Sequence, residues 1–547
     1  MQTRVAISLA ILLATWPHAS TTAQAQPPRN EYHRGIDVLH YELTLDLPDS
    51  GSVIEGRARL SVHRTTADTL RLDLLRLRVD SVLVNGVATR FARDSATLRI
   101  PLPARSNDTL TVAVRYGGKI TDGFIVRTDS MGRWTGFGDN WPNRGRNWIP
   151  SVDHPSDKAT VTWIVRAPSE RRVVANGVLT EESPLPSLSR GSVPRTLTRW
   201  HESKAIPVYL MVIGAAPLAY YDLGRTACGL SEMPGCVPQS VYVAPEQREF
   251  LPGPFSQAGD IVEFFSELVG PYPYEKLAHV QSSTRFGGME NASAIFYSDR
   301  AFRQKTLGTG LVAHETAHQW FGNSVTEREW AHLWLSEGFA SYWQQLWERK
   351  TSGQDSFRVS MAALRKQIVE SAVSARRPVI DTAETNYLEL LNTNSYQKGA
   401  WTLHMLRVLV GDSAFFTGVR SYYELHKHGT ALTVDLQRAM ERASGKELGW
   451  FFDQWLRRPG FAELRTRWNY DANRGIVVIE VEQSDRFAPY RFPLTVEVID
   501  ANGIARRSTL DVAPTRKQRL TLEAVRARPR RIVFDPGVEL LATFDEG

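Results

Sequence analysis

The hydrophobic period of the chain changes twice, and these two changes constrain its fold more than any other feature. From Tyr32 to about Ala244, apolar residues recur at every second position in YELTLDL, GRARLSVH, DSVLVNG, ATLRIPL, DTLTVAVRY, KATVTWIV and AIPVYLMVIG, with Asn-Gly and proline turns between them. A period of two buries one face of a strand, and many short strands at near-regular spacing predict an N-terminal β-sandwich over 30–244. Near Pro245 the spacing becomes helical, in FSQAGDIVEFFSELVG, LGTGLVAHETAHQWFG, SEGFASYWQQLWERK, VSMAALRKQIVESAV, AWTLHMLRVLVG, AFFTGVRSYYELHKH and VDLQRAMERASG. That pattern predicts a mainly helical domain over 245–458. Pro459-Gly460 punctuates it, and LRTRWNYD, GIVVIEVEQ, RFPLTVEVID, RRSTLDVA and QRLTLEA return to alternation, giving a small C-terminal β domain over 459–547. The expected class is multidomain α+β, and 547 residues at 42% hydrophobic content can fill several cores.

Residues 1–25 follow a different logic. Arg4 precedes the apolar run VAISLAILLAT, and TTAQAQ supplies small residues at alternate positions, so the segment reads as a secretory signal peptide cut after Ala25. The run is too short to span a bilayer, and no later segment is long and apolar enough, so no transmembrane anchor is expected and the mature protein should be secreted or periplasmic. The net charge of +6 is spread among acids along the chain, and the short basic run RARPRR leads into a strand, which argues against a nucleic-acid partner. Only Cys228 and Cys236 could pair; in an oxidising compartment a disulfide there would stabilise the loop by about 2–3 kcal/mol. Asn107 and Asn291 match glycosylation acceptors and are read as incidental.

The chemistry concentrates in HETAHQWFGN, His314 to Asn323. On a helix, residues four apart lie within about 40° of each other around the axis, so His314 and His318 present their imidazoles side by side, a chelating pair. Gly322 is the expected cap of that helix. Glu337, separated from His318 by 18 residues, sits on a second helical run and can fold back as a third ligand. Two imidazoles and one carboxylate leave one Zn²⁺ with an open fourth position, the arrangement of a catalytic site. Glu315 lies about 100° round the helix from His314, off the ligand face and placed to act as a general base on water.

Together, HETAHQWFGN and LWLSEGFASYW resemble the gluzincin zinc aminopeptidases, whose members include aminopeptidase N and the leukotriene-processing hydrolase. GGMEN at 287–291 resembles that family's exopeptidase motif, SYQKGAW at 395–401 its tyrosine segment, GPYPYEKL at 270–277 the entry to its catalytic domain, and RNWIPSVDHPSDKAT at 146–160 a first-domain signature. The resemblance implies a short bacterial-type member with a thermolysin-like catalytic domain that hydrolyses peptides from a free N-terminus. It assigns Glu290 to the substrate's α-amino group and Tyr396 to the oxyanion. Glycines 287 and 288 interrupt a strand pattern, where missing side chains let a peptide backbone approach and pair, and Met289 would line the first side-chain pocket.

Three features depart from the family pattern. Ser151 replaces a cysteine; only Asp139 or Asn140 stands where a second amine anchor is expected; and His332 stands where relatives often carry an acid supporting the metal site, a role a histidine can fill by hydrogen bonding. After the C-terminal β domain no helical solenoid like that of larger relatives is expected, and a more open site is expected with it. Two alternatives remain at this stage: a zinc endopeptidase on the same scaffold, and a catalytically silent peptide-binding relative.

Overall fold

The computed structural model of the protein describes residues 35–104, 109–186, 191–227, 235–523, 525 and 527–546. Residues 1–25, read above as a signal peptide, Asn107 and Cys228 lie outside the described residues, while Cys236 is not a free thiol. In the N-terminal part, the strand Ile36–Asp46 runs through an eight-stranded sheet, antiparallel to Val53–Arg64 and parallel to Lys158–Pro168. Its alternation is real: Tyr41, Leu43 and Leu45 point inward and are buried, while the residues between them are partly exposed. Trp163 of this sheet stacks on Trp148 at 5.6 Å, and Trp148 meets Phe124 of a four-stranded sheet at 5.1 Å, so aromatic side chains fill the space between the two sheets.

Two details differ from the sequence pattern. AIPVYLMVIG is not one strand: Arg195–Pro207 ends at the proline, Val208–Leu210 forms a 3-10 turn, and Ile213–Ala216 begins another sheet. All of Val208–Leu210 is buried, and a continuous apolar run carries no period with which to mark a break. The change of period near 244 also separates strands from helices without separating sheets. Ala219–Thr226 pairs with Val237–Val243, which runs parallel to Leu277–Ser282; Ala294–Ser298 follows, and the two-residue strand Gly288–Met289 closes the edge. The strands Ala219–Thr226 and Val237–Val243 therefore share a sheet with strands that lie among the helices, because alternation identifies a strand and not its neighbours.

The helices follow the expected segments: Ala258–Val269, Thr309–His318, Gly399–Val410, Asp412–His426 and Thr433–Ser444. Two predicted helices merge as Trp334–Glu370, broken at Gly353, whose φ of 88° interrupts the helical path. This long helix packs against Gly399–Val410 at a pair of glycines. A Cβ on Gly399 would lie 2.9 Å from the Gly338 Cα, so the two backbones touch with nothing between them. After Leu456, sheets of four and three strands form the C-terminal domain. Among the described residues no helix is long and apolar enough to cross a membrane.

Candidate metal centre

The short helix Thr309–His318 carries His314, Glu315 and His318, all buried at 8%, 4% and 1% exposure. The first turn of the long helix brings Glu337 against it. The Nε2 atoms of His314 and His318 are 3.2 Å apart, and Glu337 Oε2 lies 3.3 and 3.4 Å from them. These three donors form a nearly equilateral triangle. Tetrahedral metal bonds of about 2.0–2.1 Å place donors about 3.3–3.4 Å apart, so the triangle is one face of such a site. Glu337 Oε2 is buried without a hydrogen-bond partner, which no carboxylate oxygen tolerates cheaply, and a cation satisfies it together with both imidazoles.

Neighbours fix the rings. His318 Nδ1 faces the Phe321 carbonyl at 3.1 Å and Ser336 Oγ at 3.0 Å, which assigns its proton to Nδ1 and leaves the Nε2 lone pair facing the triangle. The His314 ring lies parallel to the Tyr396 ring at 6.0 Å. Tyr396 donates to Glu337 Oε1 at 2.9 Å from a π-helical turn, Asn394–Lys398, that feeds the helix Gly399–Val410. Irregular turns of this kind cost regularity and re-aim side chains.

Electrostatics point the same way. Burial pushes Glu315 well above the usual carboxylate range and Glu290 up to about 7, with neighbouring carboxylates adding to both and His318 opposing. Burial would likewise raise Glu337, but His318 and His314 hold it down at about 2. Burial would lower His318, yet without a cation Glu337 and Glu290 would lift it to about 10, so that a proton takes the place a metal ion would hold on its Nε2, whereas burial keeps His314 below its ordinary value. A buried pocket holding three carboxylates and two histidines favours a divalent cation.

Glu290 stands beside this centre. It is buried, and its donor oxygen lies with those of Glu315 and His318 within 4.8 Å of one another. Its backbone carbonyl receives Gln319 Nε2 at 3.0 Å and Asn323 Nδ2 at 2.6 Å. Both residues belong to HETAHQWFGN, and neither was singled out from the sequence; the signal was their amide chemistry just past the metal-binding turn. Gly288 lies over Glu315, where a Cβ would overlap that carboxylate, while a Cβ on Gly287 would have Leu311 at 3.9 Å as its nearest neighbour. Met289, next in the strand, is buried.

Several expectations are corrected. The helix ends at His318, not at Gly322. Gly322 takes a φ of 107° in the turn beyond, where its N–H bonds Val325, because a side chain there would strike Ser336. Asn140 donates to Val208 and Met211 and accepts from Trp148, and Asp139 pairs with Arg144 at 2.7 Å, while the Asp139 charge also reaches Glu290 and adds to the rise of its carboxyl. His332 bonds Thr433 at 2.8 Å instead of a metal ligand, and support for His318 falls to Ser336 and Phe321. By contrast, Asn291 is fully buried, in agreement with its glycosylation motif being incidental.

With this geometry in hand, similarity to known proteins is informative. The profile of the Peptidase M1 N-terminal domain matches residues 38–210, and that of the Peptidase family M1 domain matches residues 255–455. A leucyl aminopeptidase of Saccharolobus solfataricus is 26% identical over 85% of this chain and 59% of its own length, and an aminopeptidase N of Lactococcus lactis is 26% identical over 77% and 51%. The chain thus spans roughly half to three-fifths of the curated relatives it matches. An M1 zinc metallopeptidase from Deinococcus radiodurans superposes with a TM-score of 0.67 at 26% identity, covering 78% of this chain and 94% of that one. Aminopeptidase A of Legionella pneumophila, solved in complex with aspartic acid, shares the fold at a TM-score of 0.81 and 18% identity over 94% of this chain and 60% of that one. The two matched segments, the sheet-and-helix architecture and the histidine–glutamate triangle agree: this chain belongs to peptidase family M1.

Proposed function

We propose that the protein is a zinc metallo-aminopeptidase that removes the first residue of a peptide. The observation that carries this reading is the position of Glu290, whose carboxylate lies within 4.8 Å of donor atoms of Glu315 and His318, beside the His314–His318–Glu337 triangle. Consecutive Cα atoms are about 3.8 Å apart, so an ammonium held at Glu290 leaves space for one residue before the carbonyl under attack.

His314, His318 and Glu337 would hold the ion through two neutral imidazoles and one carboxylate. When bound, zinc supplies Lewis acidity, making water nucleophilic near neutral pH and polarising a carbonyl. Glu315 accepts the proton of the attacking water and returns it to the departing amine nitrogen; neighbouring cations restore the carboxylate that burial disfavours. Tyr396, which donates to Glu337 in the resting protein, turns its hydroxyl toward the oxygen that gains charge. Glu290 pairs with the α-ammonium, and a blocked amine would leave that buried carboxylate unpaired. The peptide adds as a strand along Gly288–Met289, with Gly287 giving clearance and Met289 lining the first pocket.

The test is a panel of aminoacyl-nitroanilides and their N-acetylated counterparts, assayed with and without a chelator. Cleavage of free-amine substrates alone, lost on chelation and restored by zinc, supports the reading. Cleavage of the acetylated series would instead indicate an endopeptidase, and no turnover by the zinc-loaded protein would favour a silent binding relative. The composition of residues 1–25 and the absence of a free thiol at Cys236 support a secreted or periplasmic location, which N-terminal sequencing of exported protein would check.

A further inference from the structure

The turn after the metal-binding helix is gripped from the N-terminal β domain. Lys158, the first residue of the strand Lys158–Pro168, sends Nζ to the carbonyls of Asn323 at 3.0 Å, Ser324 at 2.8 Å and Gly429 at 2.9 Å. Three acceptors at these distances need three N–H groups, so the ammonium is the form that fits. Burial draws Lys158 down to about 7, with Glu327 opposing. Nearby, Tyr209 donates to the Gly322 carbonyl at 2.9 Å. Two side chains of one domain thus hold residues 322–324 of the other.

Asn323 is the residue through which this grip matters. Its carbonyl accepts from Lys158, its N–H bonds the His318 carbonyl at 3.1 Å, and its side chain donates to the Glu290 carbonyl at 2.6 Å. Without the ammonium, three convergent carbonyl dipoles would face one another without their shared cation, that of Asn323 keeping only the Thr326 hydroxyl at 2.9 Å, and the peptide that relieves them is the one carrying the Asn323 side chain. The geometry points to Lys158 as a positioning residue for the amine end of the substrate, acting through Asn323 on Glu290. This rests on the reading of Glu290 as the amine anchor. It also makes the N-terminal domain part of the binding site rather than a neighbour of it. Gln319 gives Glu290 a second bond, and the His318 ring is held separately by Phe321 and Ser336, so loss of Lys158 should weaken substrate binding while sparing the metal.

The test compares the full-length wild type with Lys158→Met and Lys158→Arg on whichever aminoacyl-nitroanilide the wild type cleaves fastest, with zinc content and Tm measured on the same samples. A Lys158→Met protein with full zinc should show KM raised about tenfold or more, the scale of loss from a misplaced supporting contact, and Lys158→Arg should recover part of it. An unchanged KM, or a fall in kcat and zinc content at constant KM, overturns the assignment. Should Lys158→Met fail to fold, Tyr209→Phe decides: a smaller rise in KM at full zinc supports the clamp, and no rise refutes it. If the wild type cleaves no free-amine substrate, the aminopeptidase reading has failed and the role of Lys158 falls with it, an outcome distinct from any difference between variants.

Discussion

Replacing Glu290 with glutamine tests the anchor with little disturbance of its surroundings. The side chain keeps its shape, and its backbone stays held by Gln319 and Asn323, so only the charge is removed. An ammonium and a carboxylate about 4 Å apart attract by about 4 kcal/mol at an effective dielectric of 20. Truncating one partner of a buried charge pair costs about 2–5 kcal/mol, and glutamine's remaining acceptor returns about 1 kcal/mol. The net loss of about 1–4 kcal/mol corresponds to a fall of roughly 5- to 700-fold in kcat/KM, at tenfold per 1.4 kcal/mol. Zinc content should not change, and Tm should hold or rise, because the substitution removes an acid that burial already disfavours in its charged form. Steady-state kinetics on free and N-acetylated substrates, alongside metal analysis, measure this. A loss below about threefold on free-amine substrates, or an equal loss on acetylated ones, would refute the amine-anchor reasoning, since either result lies outside what removal of the charge allows.

Other substitutions separate the remaining roles. Glu337→Gln should lower zinc occupancy and activity together, whereas Glu315→Gln should retain zinc and lose about 10²- to 10⁴-fold in kcat; metal analysis beside kinetics distinguishes them. Gly399→Ala should cost about 1–3 kcal/mol by forcing apart the helices that meet at Gly338, and should lower kcat by shifting Tyr396 from Glu337; thermal melts and kinetics check both effects. Burial lowers His404 to about 4, so the folded state binds fewer protons there than the unfolded chain, and stability present above about pH 6.5 is lost as pH falls toward 4. At pH 5 this amounts to about 2 kcal/mol, and in melts compared at pH 5 and 7.5 His404→Gln should show a smaller acid loss than the wild type.

Much of this was legible in the chain because it rests on local spacing. Alternation and helical period identified the strands and helices, and a separation of four placed two imidazoles on one helix face. Glu337 was visible as an acid on the next helix, and the structure supplies the 3.3 and 3.4 Å that bring it to them. What the pattern could not carry was pairing at long range. Val237–Val243 falls in the stretch read as part of the N-terminal β domain, but its place beside Leu277–Ser282 depends on a register that no local period encodes. Asn323 and Lys158 looked like a helix stop and the polar start of a strand. Their meaning appears only when residues 165 positions apart meet, since a lysine at a strand start is ordinarily solvated. Gly322 was misjudged for a related reason: a glycine after a helix is commonly its cap, and here Ser336 on another helix requires it.

The brevity of Gly288–Met289 has a consequence beyond catalysis. A sheet that leaves backbone groups open to receive a peptide risks receiving another copy of itself, the route by which long flat borders seed fibrils. Two residues provide too few ladder bonds to hold an unanchored strand, so a segment gains a lasting place there only if other groups grip it. Selectivity for substrate and protection against self-association then come from the same shortness, and lengthening this strand should raise the tendency to aggregate even where the active-site groups are untouched.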